Sequence, residues 1–238
     1  MLSTDKEHIA FLTQYLVKNG IDQVVISPGS RNAPLVTAFC AHKSIQTFTL
    51  HDERVAAFTA LGMAEASGKP VVLTCTSGSA LLNYSPAIVE AYYRQIPLLI
   101  LSADRPAHLI DQGDGQTIRQ ENIYSNYIKR SFTYPEDGAE HLDKAREIGV
   151  KVIEQLFELP KGPVHLNVPL NEPLYDIAEY EPEQLDLVSS VKDNSEEPNW
   201  EEIKEIWTAS EKKLIIVGQH LPDPALEQLV CDLGNDPS

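Results

Sequence analysis

The sequence has 238 residues and lacks the features that define several classes of protein. It contains no run of 18 or more apolar residues, which a transmembrane helix requires. Its N-terminus does not show the basic and then apolar order of a signal peptide. Its cysteines, Cys40, Cys75 and Cys231, are odd in number, far apart and not spaced as metal ligands. We therefore expect a soluble, cytoplasmic protein without a disulfide framework, a metal site in this chain or a membrane partner.

Basic residues are also scarce, since 19 Lys and Arg stand against 35 Asp and Glu. The formal net charge of −16 predicts no nucleic-acid partner. Much of this charge lies in one segment, because residues 172–202 hold eleven acidic residues and a single lysine. Such a segment is more often a solvated linker or exposed surface than a binding face. The net charge therefore says little about a site elsewhere.

Apolar runs that end in small polar loops recur along the chain and predict an α/β fold. Four such runs are Val24–Ile26, Ile45–Leu50, Val71–Cys75 and Pro97–Leu101. The pattern predicts a parallel sheet flanked by helices on both faces, with functional loops at one edge. The other predicted elements are helices at Asp5–Asn19 and Ala139–Phe157 and strands at Arg130–Tyr134 and Gly162–Pro169. No G-x-G-x-x-G follows a predicted strand, and G-x-x-x-x-G-K-[ST] is missing, so both common nucleotide-binding motifs are absent.

We expect three parts in the chain. Residues 1–174 form the α/β domain, residues 175–199 an acidic linker, and residues 200–238 the truncated start of a second α/β domain. In the last part, Trp200–Lys212 is predicted as a helix and Lys213–Gly218 as a strand. About 50 residues are too few for a sheet domain with its own core, so we expect a piece of a longer protein.

The segment Leu50–Arg54 joins a predicted strand to a predicted helix and contains the first candidate site residue. Glu53 lies near the carboxyl end of the strand, and ligands bind at such ends in open parallel sheets. A carboxylate at this position is therefore a candidate for binding or catalysis. Alternatively, Glu53 only complements the positive end of the helix dipole. The segment alone favours the helix-dipole interpretation.

The loop Ser27–Arg31 contains a second candidate. Gly29 permits a tight turn or a close backbone approach before the next helix. Arg31 then lies where a guanidinium and backbone N–H groups can together bind an anion. The alternative is a surface arginine paired with Asp22 or Asp52.

Six short segments, taken together, resemble one family. They are Ser27–Arg31, Asp52–Gly62, Thr76–Gly78, Ser102–Pro106, Gln116–Ile118 and Gly162–His165. In order and spacing they resemble 2-succinyl-5-enolpyruvyl-6-hydroxy-3-cyclohexene-1-carboxylate synthase, a thiamine diphosphate enzyme of menaquinone biosynthesis. The resemblance covers about Asp5 to Leu174 and implies the N-terminal, pyrimidine-binding domain of such an enzyme.

The resemblance implies an activity, cofactors and partners. Members of the family join 2-oxoglutarate to isochorismate and release carbon dioxide, so these two molecules are the implied substrates. Thiamine diphosphate and Mg2+ are the implied cofactors, and the diphosphate and metal site belongs to a C-terminal domain absent from this sequence. Because the active site of the family forms between subunits, a homodimer or homotetramer is implied.

The resemblance also assigns roles to residues. It implies that Glu53 is catalytic and binds the cofactor through a hydrogen bond to the aminopyrimidine ring nitrogen, in a largely water-excluded cleft. The residues implied beside the pyrimidine are Pro28, Gly29 and Asn83. Those implied to bind the substrates are Ser30, Arg31, Arg105 and Gln116. The two arginines suit substrates that carry several carboxylates.

The segment Gly113-Asp114-Gly115 departs from the family, which usually has Gly-Ala-Asn or a near variant before the residue matching Gln116. A Gly-Asp-Gly motif does occur in thiamine diphosphate enzymes, but there it follows a strand and ends in a more distant Asn. We therefore interpret this segment as a polar turn. Two other functions stay open. One is a thiamine diphosphate enzyme of other specificity, such as an acetolactate-synthase-like protein, against which Arg31 and Arg105 weigh; the other is a non-catalytic binding module.

Overall fold

The computed structural model describes residues 2–181, 198–220 and 222–235. The chain forms two compact units, residues 1–192 and 193–238. All candidate site residues lie in the first unit. Its strands are β1 (Leu2–Thr4), β2 (Gln23–Ile26), β3 (Gln46–Thr49), β4 (Val71–Cys75), β5 (Leu98–Asp104), β6 (Arg130–Thr133), β7 (Val164–Pro169) and β8 (Ile177–Glu179). Its helices are α1 (Glu7–Lys18), α2 (Ala33–Ala41), α3 (Glu53–Ser67), α4 (Ala80–Asn83), α5 (Ser85–Tyr93) and α6 (Leu142–Phe157).

A six-stranded parallel sheet forms the centre of the first unit, with the strand order β3-β2-β4-β5-β7-β6. Strands β1 and β8 pair separately and antiparallel. Within the large sheet, each strand is joined to the next strand in the chain by a helix or a long connection, as a parallel arrangement requires. The predicted α/β fold with a parallel sheet is confirmed.

The sheet lies between two buried apolar clusters, and strands β2, β4 and β5 contribute side chains to both of them. In β2, for example, Val24 and Ile26 belong to one cluster and Val25 to the other. The first cluster includes side chains of α1, α2 and α6, and the second includes side chains of α3, α4 and α5. Burial on both faces explains why these strands are continuous apolar runs in the sequence.

Helix α3 begins directly after Asp52. The Asp52 side chain accepts a hydrogen bond of 2.9 Å from the backbone N–H of Val55, which caps the helix. The helix ends at Gly68, whose φ of 68° is the left-handed value common at helix ends. Since Glu53 is the first helical residue, the cap fixes its position just after β3.

The segment predicted as a linker is partly structured. Ile177–Glu179 forms β8 and pairs with β1 in the first unit, so the prediction of a linker was wrong for these residues. Residues 182–197 lie outside the described residues, and for them the linker stays a prediction.

The second unit contains two helices in its described residues, α7 (Trp200–Ala209) and α8 (Pro224–Gly234). The first confirms a predicted helix. The strand predicted at Lys213–Gly218 is wrong, because none forms there; Leu214 and Ile216 are 81% and 83% exposed, and a strand needs a neighbour for its backbone hydrogen bonds. Across the part of the chain that the structure describes, no helix is both long and apolar enough to span a membrane.

Candidate active site

The loops with the predicted site residues meet at the carboxyl edge of the parallel sheet. Ile26 of β2 lies beside Thr49 of β3 and Thr74 of β4. On the other side of β4, Cys75 lies beside Ser102 of β5. The segments that follow these strands contain Pro28, Gly29, Ser30, Arg31, Glu53, Asn83, Arg105 and Gln116. Pro28 and Gln116, 88 positions apart in the sequence, are thereby brought to one edge.

Glu53 is partly exposed at this edge, and its carboxylate receives no hydrogen bond or ion pair from the described residues. Its charge nevertheless acts on two buried groups. Burial, and to a smaller degree the charge of Glu53, raises the pKa of the Cys75 thiol. Burial, Cys75 and Glu53 together raise the pKa of the Tyr84 phenol. The carboxylate therefore lies near the end of β4, but the described residues alone do not enclose it in the expected cleft.

The loop after β2 is held by Asn32, which is fully buried. Its Oδ1 accepts a hydrogen bond of 2.9 Å from the Gly29 N–H, and its Nδ2 donates one of 3.0 Å to the Ser27 carbonyl. A Cβ atom on Gly29 would lie 2.4 Å from the Cβ of Thr76. Only glycine therefore allows the loops after β2 and β4 to approach this closely.

Arg31 is buried, with 8% of its surface exposed. Its Nη1 donates a 3.1 Å hydrogen bond to the Leu170 carbonyl, and its Nη2 lies 3.1 Å from Oε1 of Glu172. The alternative of pairing with Asp22 or Asp52 is therefore wrong. Because the Glu172 side chain is mostly exposed, the guanidinium lies at the boundary between protein and solvent.

Arg105 follows β5 and is anchored to two other loops. Its Nη1 donates to Oγ of Ser77 at 2.6 Å and to the carbonyl of Gln116 at 3.1 Å. Its Nε donates to the carboxylate of Asp114. One guanidinium thus connects the loop after β4 with the turn around Asp114.

A buried polar network lies beneath these residues, and sequence reasoning missed it. At its centre is Gln120, which is 1% exposed. Its Oε1 accepts a hydrogen bond of 2.8 Å from the Gly78 N–H. Its Nε2 donates to the Ala103 carbonyl at 3.1 Å and to Oδ1 of Asn167 at 2.8 Å. The Gln120 amide therefore joins its own segment to the loop after β4 and to strands β5 and β7.

Asn167 extends this network toward Arg105. Its Nδ2 donates to Oδ2 of Asp104 at 2.8 Å, and Oδ1 of Asp104 accepts a hydrogen bond of 2.8 Å from the backbone N–H of Arg105. Burial raises the pKa of Asp104 despite these hydrogen bonds. Oδ1 of Asn167 also accepts from the Ser102 hydroxyl at 2.9 Å. The one sequence signal was the polar Asn167 within an apolar strand, since a buried polar group needs partners.

His165 completes the network. Its Nε2 lies 2.7 Å from Oγ of Ser102, and its Nδ1 lies 3.2 Å from Oγ of Ser131. Burial lowers the pKa of His165 to about 3. The ring is therefore neutral near pH 7, with one nitrogen donating and the other accepting.

The other predicted site residues are more exposed. Pro28, Ser30, Asn83 and Gln116 are exposed at this edge. Gln116 has a φ of 54°, and the segment before it forms the turn predicted at Gly113-Asp114-Gly115. Within residues 2–181, 198–220 and 222–235, no three His, Cys, Asp or Glu side chains are grouped so that they could hold a metal ion.

Comparison with known proteins shows which domain the first unit resembles. Residues 8–123 match the model described as "Thiamine pyrophosphate enzyme, N-terminal TPP binding domain". The chain has the fold of that domain. A solved structure with this likeness is a putative thiamin diphosphate-dependent enzyme from Mycobacterium smegmatis, with a TM-score of 0.60 and 22% identity over 69% of this chain and 31% of that one.

Curated relatives resemble almost the whole chain, including the residues that match this domain model. A protein from Desulfotalea psychrophila is 42% identical over 97% of this chain and 44% of its own length. One from Cytophaga hutchinsonii is 46% identical over 94% of this chain and 40% of its own length. Both are named 2-succinyl-5-enolpyruvyl-6-hydroxy-3-cyclohexene-1-carboxylate synthase. The chain thus resembles a part of these synthases and spans about two fifths of their length.

Proposed function

We propose that this chain is the pyrimidine-binding part of a thiamine diphosphate-dependent synthase. The whole protein would join 2-oxoglutarate, after its decarboxylation, to isochorismate. Support comes from relatives of that name with more than 40% identity along the chain. The structural observation that carries the proposal is Glu53, an accessible carboxylate at the carboxyl edge of a thiamine pyrophosphate enzyme domain.

The residues present fit the pyrimidine part of the cofactor. Glu53 offers a carboxylate without a hydrogen-bond partner in the described part of the chain, which suits a ring nitrogen that needs one. Pro28, Gly29 and Asn83 are the proposed neighbours of the ring. The proposal assigns the diphosphate and Mg2+ to other residues of the whole protein, since phosphates and Mg2+ prefer cationic and oxygen ligands, respectively.

Glu53 is the proposed catalytic residue. When bound, thiamine diphosphate supplies a thiazolium carbon that can attack a 2-oxo acid and take up the electron pair released with carbon dioxide. Glu53 would hold a proton at the pyrimidine ring nitrogen, and this contact would let the neighbouring amino group of the bound cofactor act as a base. A glutamine of the same shape could not share this proton.

Ser30, Arg31, Arg105 and Gln116 are the proposed substrate-binding residues. Both proposed substrates carry several carboxylates, and a guanidinium can bind a carboxylate through two parallel hydrogen bonds. Because both arginine side chains are largely buried, their charges are less screened by water than those of surface arginines. Local cationic groups can therefore bind anions although the chain is acidic overall.

A homodimer or homotetramer is part of the proposal, as is a cytoplasmic location. Tyr92, Tyr93 and Tyr127 form an exposed cluster with ring centroids 5.5–6.4 Å apart. Exposed aromatic clusters of this kind often contact a partner. Ala87, on the same helix as Tyr92 and Tyr93, is instead buried in the core of this chain.

The test is an assay of the whole protein with 2-oxoglutarate and isochorismate, with and without thiamine diphosphate and Mg2+. We expect turnover that requires both substrates and both cofactors. Turnover of pyruvate alone, without reaction of isochorismate, would favour the acetolactate-synthase-like alternative. Absence of any cofactor-dependent turnover, with no calorimetric binding of thiamine diphosphate, would favour a non-catalytic module.

A further inference from the structure

Both arginines assigned to the substrates are already paired with a carboxylate of this chain. Arg31 contacts Glu172 at 3.1 Å, and Arg105 contacts Asp114. The two arginine side chains are only 10% and 12% exposed, whereas those of Glu172 and Asp114 are 68% and 40% exposed. In each pair, therefore, a fixed cation meets a carboxylate that solvent can reach.

The remaining contacts of Arg105 indicate which partner can be replaced. A guanidinium can bind a carboxylate through two N–H groups along its Nη1–Nη2 edge or along its Nε–Nη2 edge. On the first edge, Nη1 is engaged by the buried Ser77 hydroxyl and by the Gln116 carbonyl. On the second edge, Nε is engaged by the Asp114 carboxylate. Only the second edge becomes available through movement of a single exposed side chain.

Arg31 shows the same division. Its Nη1 donates to the Leu170 carbonyl, which is part of the backbone after β7. Its Nη2 contacts the carboxylate of Glu172, whose side chain is mostly exposed. The backbone contact positions the guanidinium, while the contact with Glu172 occupies the N–H group that a ligand could use.

We propose that Asp114 and Glu172 are displaceable carboxylates that set the affinity of this site for carboxylate substrates. This proposal rests on the proposed function, since it takes Arg105 and Arg31 as substrate-binding residues. A substrate carboxylate replaces Asp114 or Glu172 on the same guanidinium, so each arginine remains paired before and after binding. A neutral analogue cannot make this exchange without leaving the guanidinium unpaired, which favours anionic substrates.

The size of the effect follows from the exposure of the pairs. Exposed ion pairs are weak, whereas hydrogen bonds to a largely buried charge are stronger. Removing the charge of Asp114 should therefore lower the KM of the substrate that binds Arg105 by about three- to tenfold. Turnover should stay within about twofold, because Asp114 has already left the guanidinium in the substrate complex and in the transition state.

The first variant is Asp114→Asn in the whole protein, which keeps the shape of the side chain and removes its charge. Its matched control is Asp111→Asn, which changes the net charge equally in the same turn but breaks the exposed pair with Arg119. For Arg31 the variant is Glu172→Gln, with the exposed Glu179 of β8 changed to Gln as control. We expect a lower KM for a substrate in Asp114→Asn and in Glu172→Gln, and wild-type values in both controls.

Binding of succinate, an unreactive dicarboxylate, provides a readout that does not depend on turnover. Calorimetry should give a dissociation constant about three- to tenfold lower for Asp114→Asn than for wild type. Unchanged or raised KM values, together with unchanged or weaker succinate binding, would show that Asp114 holds Arg105 in place and would overturn the proposal. If the wild type does not react with 2-oxoglutarate and isochorismate, the proposed function fails. The succinate titration then tests by itself whether a ligand carboxylate displaces Asp114 from Arg105.

Discussion

The candidate site has a solvent-exposed rim, which contains Glu53, and a buried layer beneath it, which contains Gln120 and Asn167. The rim and the layer use their polar side chains in opposite ways. In the rim, the Glu53 carboxylate is partly exposed and has no hydrogen-bond partner among the described residues. In the buried layer, the Gln120 amide uses its oxygen and its nitrogen in three hydrogen bonds, and Asn167 makes three as well. The rim therefore has unused hydrogen-bonding capacity, and the layer has little.

The difference follows from contact with solvent, which the rim has and the buried layer lacks. A polar group in contact with water forms hydrogen bonds to water and can exchange them for hydrogen bonds to a ligand. A buried polar group that is left unpaired lowers the free energy of unfolding by about 1–3 kcal/mol. Substitutions in the rim should therefore change activity at little cost in stability. Substitutions in the layer should first reduce stability.

The largest effect is expected for Glu53→Gln in the whole protein. Turnover should fall roughly 100-fold or more, because a proton transfer assisted by the carboxylate is lost. Urea unfolding should give the wild-type free energy. The matched control is Glu90→Gln on α5, at an exposed position, which should keep wild-type turnover.

The same variant separates the two interpretations of Glu53. If the carboxylate only complements the dipole of α3, Glu53→Gln should keep its turnover and lose about 0.3–1 kcal/mol of stability. That outcome would show that Glu53 stabilises the start of α3 and has no catalytic role.

A smaller effect, on stability, is expected for Gln120→Ala. The substitution leaves the buried Gly78 N–H without its Gln120 partner and removes one of the two hydrogen bonds that Oδ1 of Asn167 accepts. The unfolding free energy should fall by about 4 kcal/mol, as measured by urea denaturation. Gln112→Ala, at an exposed position of the turn, should cost less than about 0.5 kcal/mol; equal costs for the two variants would contradict the assignment of a buried network.

The buried His165 predicts an acid-sensitive fold. Its pKa is lowered to about 3 by burial, while the unfolded imidazole titrates near 6.5. Between these values the unfolded state binds more protons, so the unfolding free energy falls as pH falls below 6.5 and is fully regained above it. From pH 7 to pH 5, His165 should account for about 2 kcal/mol of the loss.

The variant His165→Gln checks this pH dependence, because glutamine cannot be protonated in this range. Its loss of stability between pH 7 and pH 5 should be smaller than that of wild type by about 2 kcal/mol. The control is His108→Gln at an exposed position, whose pH dependence should match wild type. A wild-type slope in His165→Gln would show that other groups cause the acid sensitivity.

The smallest effect is expected for Asp52→Ala. Asp52 caps α3 through its hydrogen bond to the Val55 N–H, so its loss should lower the unfolding free energy by about 1 kcal/mol. Turnover should fall far less than in Glu53→Gln, although the two residues are adjacent. Asp52→Asn, which keeps a capping oxygen, should restore most of the stability.

The sequence predicted the parts of the fold that local pattern determines. Val71–Cys75 is an apolar run because β4 is buried on both faces, and such runs predict parallel strands. The position of Glu53 was predictable because a strand pattern ends and a helix pattern begins there. The run Lys213–Gly218 has the same apolar texture but forms no strand, since strand formation depends on a partner that the run itself does not encode.

The contacts of the site were less predictable, because they join residues that are distant in the sequence. Arg31 pairs with Glu172, 141 positions away, rather than with the nearer Asp22 or Asp52. Gln120 lies in an irregular polar segment, where nothing in the local pattern marks its side chain as buried. Its partners on β5 and β7 become neighbours only when the sheet forms.

The most direct test of the central claim measures exchange of the thiazolium C2 proton of bound thiamine diphosphate for deuterium, in the whole protein. The account predicts that wild type accelerates this exchange well beyond the rate of free cofactor, because Glu53 holds the proton at the pyrimidine nitrogen. At equal cofactor occupancy and equal stability, Glu53→Gln should exchange close to the rate of free cofactor. Exchange in Glu53→Gln as fast as in wild type would contradict the role assigned to Glu53.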